Sequence, residues 1–492
     1  MTRRAFIGAT AASLLLAACS STETEKPAPV ARPMHPVGFS LGSSALWADD
    51  ADLVRIFDTV VTSGVDSVRI DVSWTFTEPF EGSFDWQPTD RLVEYATERG
   101  LTVLATITNT PAWAGAVDKH TARPLSAERY GKFAGLVADR YRGTISHYEV
   151  WNEPNGKLFF EPAPDPNIYA QMLIDAHREI KAADPAAVVV AGALGSTDTS
   201  DINIAPLEFL EAMYAAGAQG SFDILSYHPY DYLSPLANGT LYESSPMRQM
   251  IAMHAYMTSR GDGHKPIWIT EYGFPTTDVD EQLAADLLTE SLQQWQEVGF
   301  HGSFYVYTVR DSDTDSSDPE DTFGVVRSDY SPKLALPALT ALMSAGIPAR
   351  PDAEYFRSNA DPKLGAPVSP VYRIGEGLGQ EFELGSRFVS RGEFTSSPAP
   401  VAAAARKLQC VPYGMFINGM QNLRSDGILR VFSRPDTGTH VVSGSILEAW
   451  DITLGFPVTD EYTDPDTART GMDFEFGTIL WSPGVPAEVR RK

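Results

Sequence analysis

The chain predicts an α/β fold, a (β/α)₈ barrel followed by a smaller C-terminal repeat domain, and three observations carry that expectation. Short runs rich in β-branched residues recur eight times between about Val37 and Leu342. Amphipathic helical stretches separate them. No glycine-rich phosphate fingerprint follows the first run, which tells against an open dinucleotide-binding sheet.

The runs are Val37–Leu41, Ser67–Val72, Thr102–Thr108, Ile145–Trp151, Ala187–Ala193, Asp223–Tyr227, Ile267–Tyr272 and Ser303–Thr308. Between them, Asp50–Ser63, Ala127–Tyr141, Ile168–Ala182, Leu207–Ala216 and Glu281–Val298 show helical spacing of apolar residues. A strand covered on both faces is apolar throughout, so such runs alternating with helices predict parallel βαβ units. Eight units over roughly 300 residues match a closed barrel.

The barrel is expected over 37–347, and the flanks read differently. Residues 1–19 resemble a bacterial lipoprotein signal peptide. Arg3-Arg4 resembles a twin-arginine export signal and Leu16-Ala17-Ala18-Cys19 a lipobox, with Cys19 the lipidated residue. The apolar stretch Ala9–Ala18 is about half the ~20 residues a membrane span needs, so the membrane would be held through lipid alone. Residues 20–36 are polar and proline-containing, a tether. The expected location is the outer face of the cytoplasmic membrane, within the envelope.

Residues 348–492 contain an internal repeat. Leu364-Gly365-Ala366-Pro367 recurs as Leu454-Gly455-Phe456-Pro457, and Gly379–Gly385 recurs as Gly471–Gly477, about ninety residues on. With Thr437–Ile446 and Trp450, this resembles the LGFP repeat of actinobacterial envelope proteins, which implies attachment to cell-wall glycan. A plain scaffold packed against the barrel is the alternative.

The chain carries a formal net charge of −26. Such a surface repels nucleic acid and anionic headgroups and suits a neutral or weakly charged partner. Cys19 and Cys410 are the only cysteines, so with Cys19 carrying lipid neither a disulfide framework nor a cysteine metal site is expected.

Two strand ends carry the chemistry. Ser146–Pro154 runs through the fourth apolar segment into Asn152-Glu153-Pro154, and Pro266–Gly273 ends the seventh on Glu271. Residues at strand C-termini of a parallel barrel converge on one face, and Pro154 predicts an extended Glu153. Two carboxyl groups on one face can cleave a sugar acetal, one protonated to help the leaving group depart and one ionised to attack.

Here the sequence resembles clan A glycoside hydrolases over most of 37–345, and within the clan it looks closest to family thirty-nine. The resemblance implies Glu153 as acid/base, Glu271 as nucleophile, and Asn152 as a hydrogen-bond partner of the sugar 2-hydroxyl. It also implies Arg69 beside the nucleophile, Tyr230 as donor to Glu271, and His228 as a substrate or supporting group. Trp74, followed by Glu78-Pro79 and Phe84-Asp85-Trp86, matches the family's pattern after strand two, with Glu78 structural. Trp47, Trp74, Trp113, Tyr272 and Tyr307 are candidate sugar platforms, with core packing the alternative for each. Tyr307 stands where many clan members have tryptophan.

No metal or cofactor is called for. Asp311, Asp313, Asp315, Asp318 and Asp321 alternate as calcium ligands do, but Ser316 and Thr322 replace the glycine and glutamate of a calcium loop. A solvated loop lining the cleft is the expected reading.

The implied function is retaining hydrolysis, by double displacement, of the β-glycosidic bonds of an extracellular or envelope polysaccharide, with endo action expected. An exo-acting β-xylosidase-like enzyme, a wall-remodelling transglycosylase and a non-catalytic glycan-binding lipoprotein are the alternatives.

Overall fold

The computed structural model describes residues 37–425 and 427–492, so the expected signal peptide, Cys19 and the tether lie outside it. All eight apolar runs are strands, with bounds within two residues of those read from the sequence. They are β1 (Val37–Ser40), β2 (Ser67–Ser73), β3 (Thr102–Thr108), β4 (His147–Asn152), β5 (Val188–Gly195), β6 (Ile224–His228), β7 (Ile267–Tyr272) and β8 (His301–Tyr307). Each pairs in parallel with the next, and β8 closes on β1. The fold is the (β/α)₈ barrel.

Side-chain caps start several of the surrounding helices. Asp49, Ser126, Asp165 and Asp280 accept from the first-turn N–H groups of Asp50–Thr62, Ala127–Arg140, Pro166–Ala183 and Glu281–Trp295. Each such cap contributes about 1 kcal/mol. Three longer helices of the barrel region were not among those expected, Ala335–Ser344, Gln87–Glu98 and Pro246–Ser259. Pro246–Ser259 buries Met247, Met250, Met253 and Met257, a methionine face interrupted by polar residues.

The barrel interior is layered. Leu104, Val190, Ile224, Trp268 and Tyr305 form an apolar cluster distinct from the main core between strands and helices. The interior then turns polar. Ser67 hydroxyl lies 3.0 Å from the Tyr305 phenol, and Arg69, Thr106 and Glu149 form a buried hydrogen-bonded group. A charged layer inside a barrel must be paired or it costs several kcal/mol. Here it supports the strand C-termini.

The C-terminal region comprises three four-stranded antiparallel sheets, each a simple meander. They are β9–β12 (Tyr372–Ile374, Gly377–Phe382, Gly385–Ser390, Glu393–Ser397), β13–β16 (Val411–Ile417, Met420–Arg424, Ile428–Arg434, Gly438–Ser443) and β17–β20 (Tyr462–Thr463, Thr470–Phe474, Gly477–Ser482, Val485–Arg491). The two sequence copies belong to the first and third sheets. The middle sheet, with Val411-Pro412-Tyr413-Gly414 at its start, diverges too far to be seen by sequence. The repeat period is therefore about half the ninety residues that separate the two visible copies.

The first and third sheets match bond for bond. Gly365 and Gly455 turn at φ 79° and 75°. Ala366 N–H and Phe456 N–H donate to Glu383 and Glu475 at 3.1 and 2.7 Å. Tyr372 and Tyr462 hydroxyls donate to Glu381 and Asp473 at 2.7 and 3.1 Å. The region is joined to the barrel through Arg350, which donates to Glu297 at 2.6 and 3.0 Å, and through Gly299 N–H to Pro367 O at 2.7 Å. Among the described residues no helix is long and apolar enough to cross a membrane.

Candidate active site

The strand C-termini bring Ser40 of β1, Arg69 and Asp71 of β2, Asn152 and Glu153 at β4, His228 of β6, Glu271 of β7 and Tyr307 of β8 to the same mouth. Both glutamates depend on a local break in strand geometry. Trp151 and Glu153 have φ of 76° and 45°. The extended conformation expected for Glu153 from Pro154 is therefore not adopted. The chain turns sharply there, with Glu153 N–H held on Ala193 O at 2.8 Å and Gly156 N–H returning to Glu153 O at 3.1 Å. Those bonds outweigh the pre-proline preference. On β7 the register against β8 shifts between Ile269 and Tyr272. Such an irregularity re-aims a side chain, and both Trp268 and Glu271, three residues apart, face inward.

The two carboxylates meet across one histidine. His228 Nδ1 lies 2.7 Å from Glu153 Oε1 and 3.8 Å from Glu271 Oε2, so those oxygens are at most about 6.5 Å apart, a bound compatible with the ~5–5.5 Å carboxyl spacing of retaining glycosidases. The other ring nitrogen lies 3.1 Å from Thr270 hydroxyl. His228 is fully buried. It holds Glu153 in place and does not reach the cleft, so of the two roles the resemblance implied it has the supporting one and not direct substrate contact.

Arg69, 2% exposed, spends its guanidinium on four acceptors. It donates to Glu149 Oε2 at 2.7 Å, Asn152 Oδ1 at 2.8 Å, Ser40 Oγ at 3.1 Å and Glu271 Oε1. Burial disfavours its charge, but Glu149 and Glu271 outweigh that and hold the proton more tightly than usual. The second Glu271 oxygen accepts from Tyr230 hydroxyl at 3.1 Å. Burial, then Glu271, push the Tyr230 phenol far up, so it remains a donor.

Glu149 and Asp71 were missed by sequence reasoning. Glu149 is fully buried and also accepts from Thr106 at 2.8 Å. Burial pushes its carboxyl up, but Arg69 and His228 bring it below its ordinary value. Asp71, half-buried, is pushed up to about 6, by burial first and then by Glu271 and Glu149, against the pull of Arg69. Strand alternation could have found both: Asp71 is two residues beyond Arg69, and Glu149 four before Glu153.

Several aromatic expectations change. Trp74 is buried, stacks on Phe133 at 5.3 Å and donates to Glu78 at 2.7 Å. Tyr272 is fully buried, edge-on to Phe274 and Phe304. Neither offers a face to a sugar, because the helix Trp74–Thr77 and the β7 irregularity turn them into the core. Trp113 is half-buried, donating to Glu78 O at 3.0 Å. Tyr307 is half-buried against Phe323 at 5.3 Å, and burial followed by Glu271 raises its phenol. Trp47 is exposed.

The acidic loop after β8 satisfies itself. Asp311 accepts from Lys333 Nζ and Gly324 N–H, both at 2.8 Å, and Asp321 accepts from Ser316 at 2.7 Å. Glu320, also unanticipated, has its carboxyl pushed up by burial and then by Glu271, which brings this loop to the edge of the mouth.

A closed parallel barrel with facing glutamates at strands four and seven defines a glycoside hydrolase of clan A. The chain belongs to the cellulase family, glycosyl hydrolase family 5, whose model matches residues 30–305. Solved structures share the fold at low identity. A family 39 glycoside hydrolase from Bacteroides cellulosilyticus is 15% identical, covering 93% of this chain and 81% of its own, with a TM-score of 0.54. A family 39 enzyme from Xanthomonas axonopodis pv. citri is 16% identical, with coverages of 70% and 71% and a TM-score of 0.51. A monomeric β-xylosidase from Caulobacter crescentus is 16% identical, with coverages of 82% and 76% and a TM-score of 0.50.

Proposed function

We propose that the protein is a retaining β-glycosidase that cuts an extracellular or cell-envelope polysaccharide by double displacement. Glu271 attacks the anomeric carbon while the bond to the leaving oxygen breaks and Glu153 delivers its proton there. Water, deprotonated by Glu153, then cleaves the glycosyl ester and frees Glu271. The reading is carried by one observation, the two carboxylates held about one histidine. Arg69 and Tyr230 grip one oxygen each of Glu271, which fixes its attack direction. Arg69 occupies Asn152 Oδ1, which turns the amide nitrogen towards a sugar hydroxyl, a bond that strengthens as charge develops on the ring.

The likeness in fold to family 39 supports the same pair of roles, since the clan pattern is common to both families. The lipobox around Cys19 and the C-terminal repeats support a lipid-held enzyme whose repeats grip wall glycan beside its substrate.

The test is kinetic. On aryl β-glycosides whose leaving group departs without acid help, so that hydrolysis of the glycosyl ester limits turnover, Glu153→Gln should lose about 10²–10⁴-fold in kcat. Added azide should restore turnover and yield the β-glycosyl azide, because a small anion replaces the base-activated water. Glu271→Gln should lose at least as much, without that rescue. Unchanged rates in either variant would overturn the role given to that glutamate, and no turnover by the wild type would favour a glycan-binding protein instead.

A further inference from the structure

The strand that leads to Glu153 stops before the strand beside it does. The last β4–β5 pair is Asn152 with Ala193, yet β5 runs on to Gly195, which pairs with His228 of β6. On the β4 side, the N–H and C=O of Gly195 face a strand that has already turned away. Buried backbone groups of this kind must find another partner.

That partner is one side chain. Asn155, 1% exposed, accepts from Gly195 N–H on Oδ1 at 2.8 Å and donates from Nδ2 to Gly195 O at 2.9 Å. The amide stands in for the missing ladder residue, and the Gly195 carbonyl fixes which way round it sits. Nδ2 also donates to Ile204 O at 3.0 Å, and Ile204 N–H returns to Asn155 O at 2.9 Å. Buried and spent on backbone, the side chain does not touch substrate.

The place of Gly195 explains why it is held. Its Cα lies against the acid/base, and a Cβ built there would stand 3.0 Å from Glu153 Oε2. One residue on, Ser196 N–H donates to His228 O at 3.2 Å, and His228 Nδ1 lies 2.7 Å from Glu153 Oε1. Both the backbone and the ring that bound the Glu153 carboxyl therefore hang on the segment Asn155 pins.

We infer that Asn155 is a positioning residue for the acid/base, setting through Gly195 where the Glu153 carboxyl stands beside the leaving oxygen. This rests on the proposed roles of Glu153 and Glu271. Misplacing a proton donor by about an ångström costs on the order of 100-fold in rate, and only in steps that move that proton. Glu271 is anchored elsewhere, by Arg69 and Tyr230, and should not feel the change.

The experiment compares phenyl with dinitrophenyl β-glycosides, in whichever of the gluco, manno and xylo series the wild type accepts. Phenoxide needs a proton to leave and dinitrophenolate does not, so the ratio of their kcat/KM values reports the acid alone. Rates are scaled to the dinitrophenolate burst from the analogue with fluorine in place of the hydroxyl beside the anomeric carbon. That burst counts folded sites with a working nucleophile. Asn155→Ala should lower the phenyl-to-dinitrophenyl ratio about 10–100-fold, and Asn155→Ser should move it in the same direction. Asn203→Ala, which cuts a 3.1 Å bond to Thr197 in the same loop, should keep the wild-type ratio. An unchanged ratio in both Asn155 variants, equal losses on both substrates, a matching change in Asn203→Ala, or no burst from either Asn155 variant overturns the inference. Glu153→Gln must show the selective loss too, and without it the acid role itself falls. A wild type that gives no burst sinks the double-displacement reading.

Discussion

Arg69 and Asp71 stand two residues apart on one strand and are pushed in opposite directions by the same pocket. The guanidinium is surrounded by carboxylates and keeps its charge. Asp71 shares those neighbours as a like charge, and burial adds to the penalty, so its carboxyl titrates near about 6. The sign for stability follows. Its proton is held longer in the folded chain than in the unfolded one, where the ordinary value is 3.8, so folding loses stability as pH rises between these two values. Asp71→Asn should remove that loss. Its unfolding free energy should exceed that of the wild type by roughly 1–3 kcal/mol near pH 7.5 and match it near pH 4. Denaturant titrations at both pH values would show it, and an equal gap at both would contradict it. Sequence could place Arg69, Asn152, Glu153, Tyr230 and Glu271 at strand ends through motif and spacing. It could not weigh Trp74 and Tyr272, since whether an aromatic faces a cleft or a core depends on a bend of one or two residues.

At the level of the strand, the site is shaped by departures from regularity. The β5 backbone passes so close to Glu153 that a Cβ on Gly195 would stand 3.0 Å from its carboxyl carbon. Gly195→Ala should therefore displace the acid/base and lower kcat by ~10–100-fold, with thermal unfolding shifted by only a few degrees. Normal activity would show that the carboxylate tolerates the shift. The eight barrel strands were legible because a doubly covered strand is apolar along its whole length. Their helices were less so: Pro246–Ser259 buries methionines between polar residues, and its periodicity is faint. The middle C-terminal sheet escaped notice because its turn lacks the Leu-Gly-x-Pro start that marks its neighbours.

Across the whole molecule, charge is divided unevenly. Residues 37–347 hold 19 Lys and Arg against 44 Asp and Glu, a net of −25, whereas 348–492 hold 15 against 18, a net of −3. The catalytic barrel therefore carries nearly all the repulsion towards polyanions. Hydrolysis of a neutral glycan should change little as salt rises from about 0.01 to 1 M, while binding of a carboxylated glycan should be absent at the low end and emerge only as screening shortens to ~3 Å. Affinity electrophoresis against both polymers would decide, and tight low-salt binding of the polyanion would refute the expectation.

The paired glycine turns at 365 and 455 have one more implication. The first and third sheets begin from the same backbone bend, and neighbouring sheets interlock through shared apolar clusters, Tyr372 and Phe388 with Val431, and Phe432 with Phe456, so the seam has the same build from one unit to the next. The length of this arm can therefore change only in steps of about 45 residues. An arm built this way lengthens or shortens in discrete notches, as a ratchet moves.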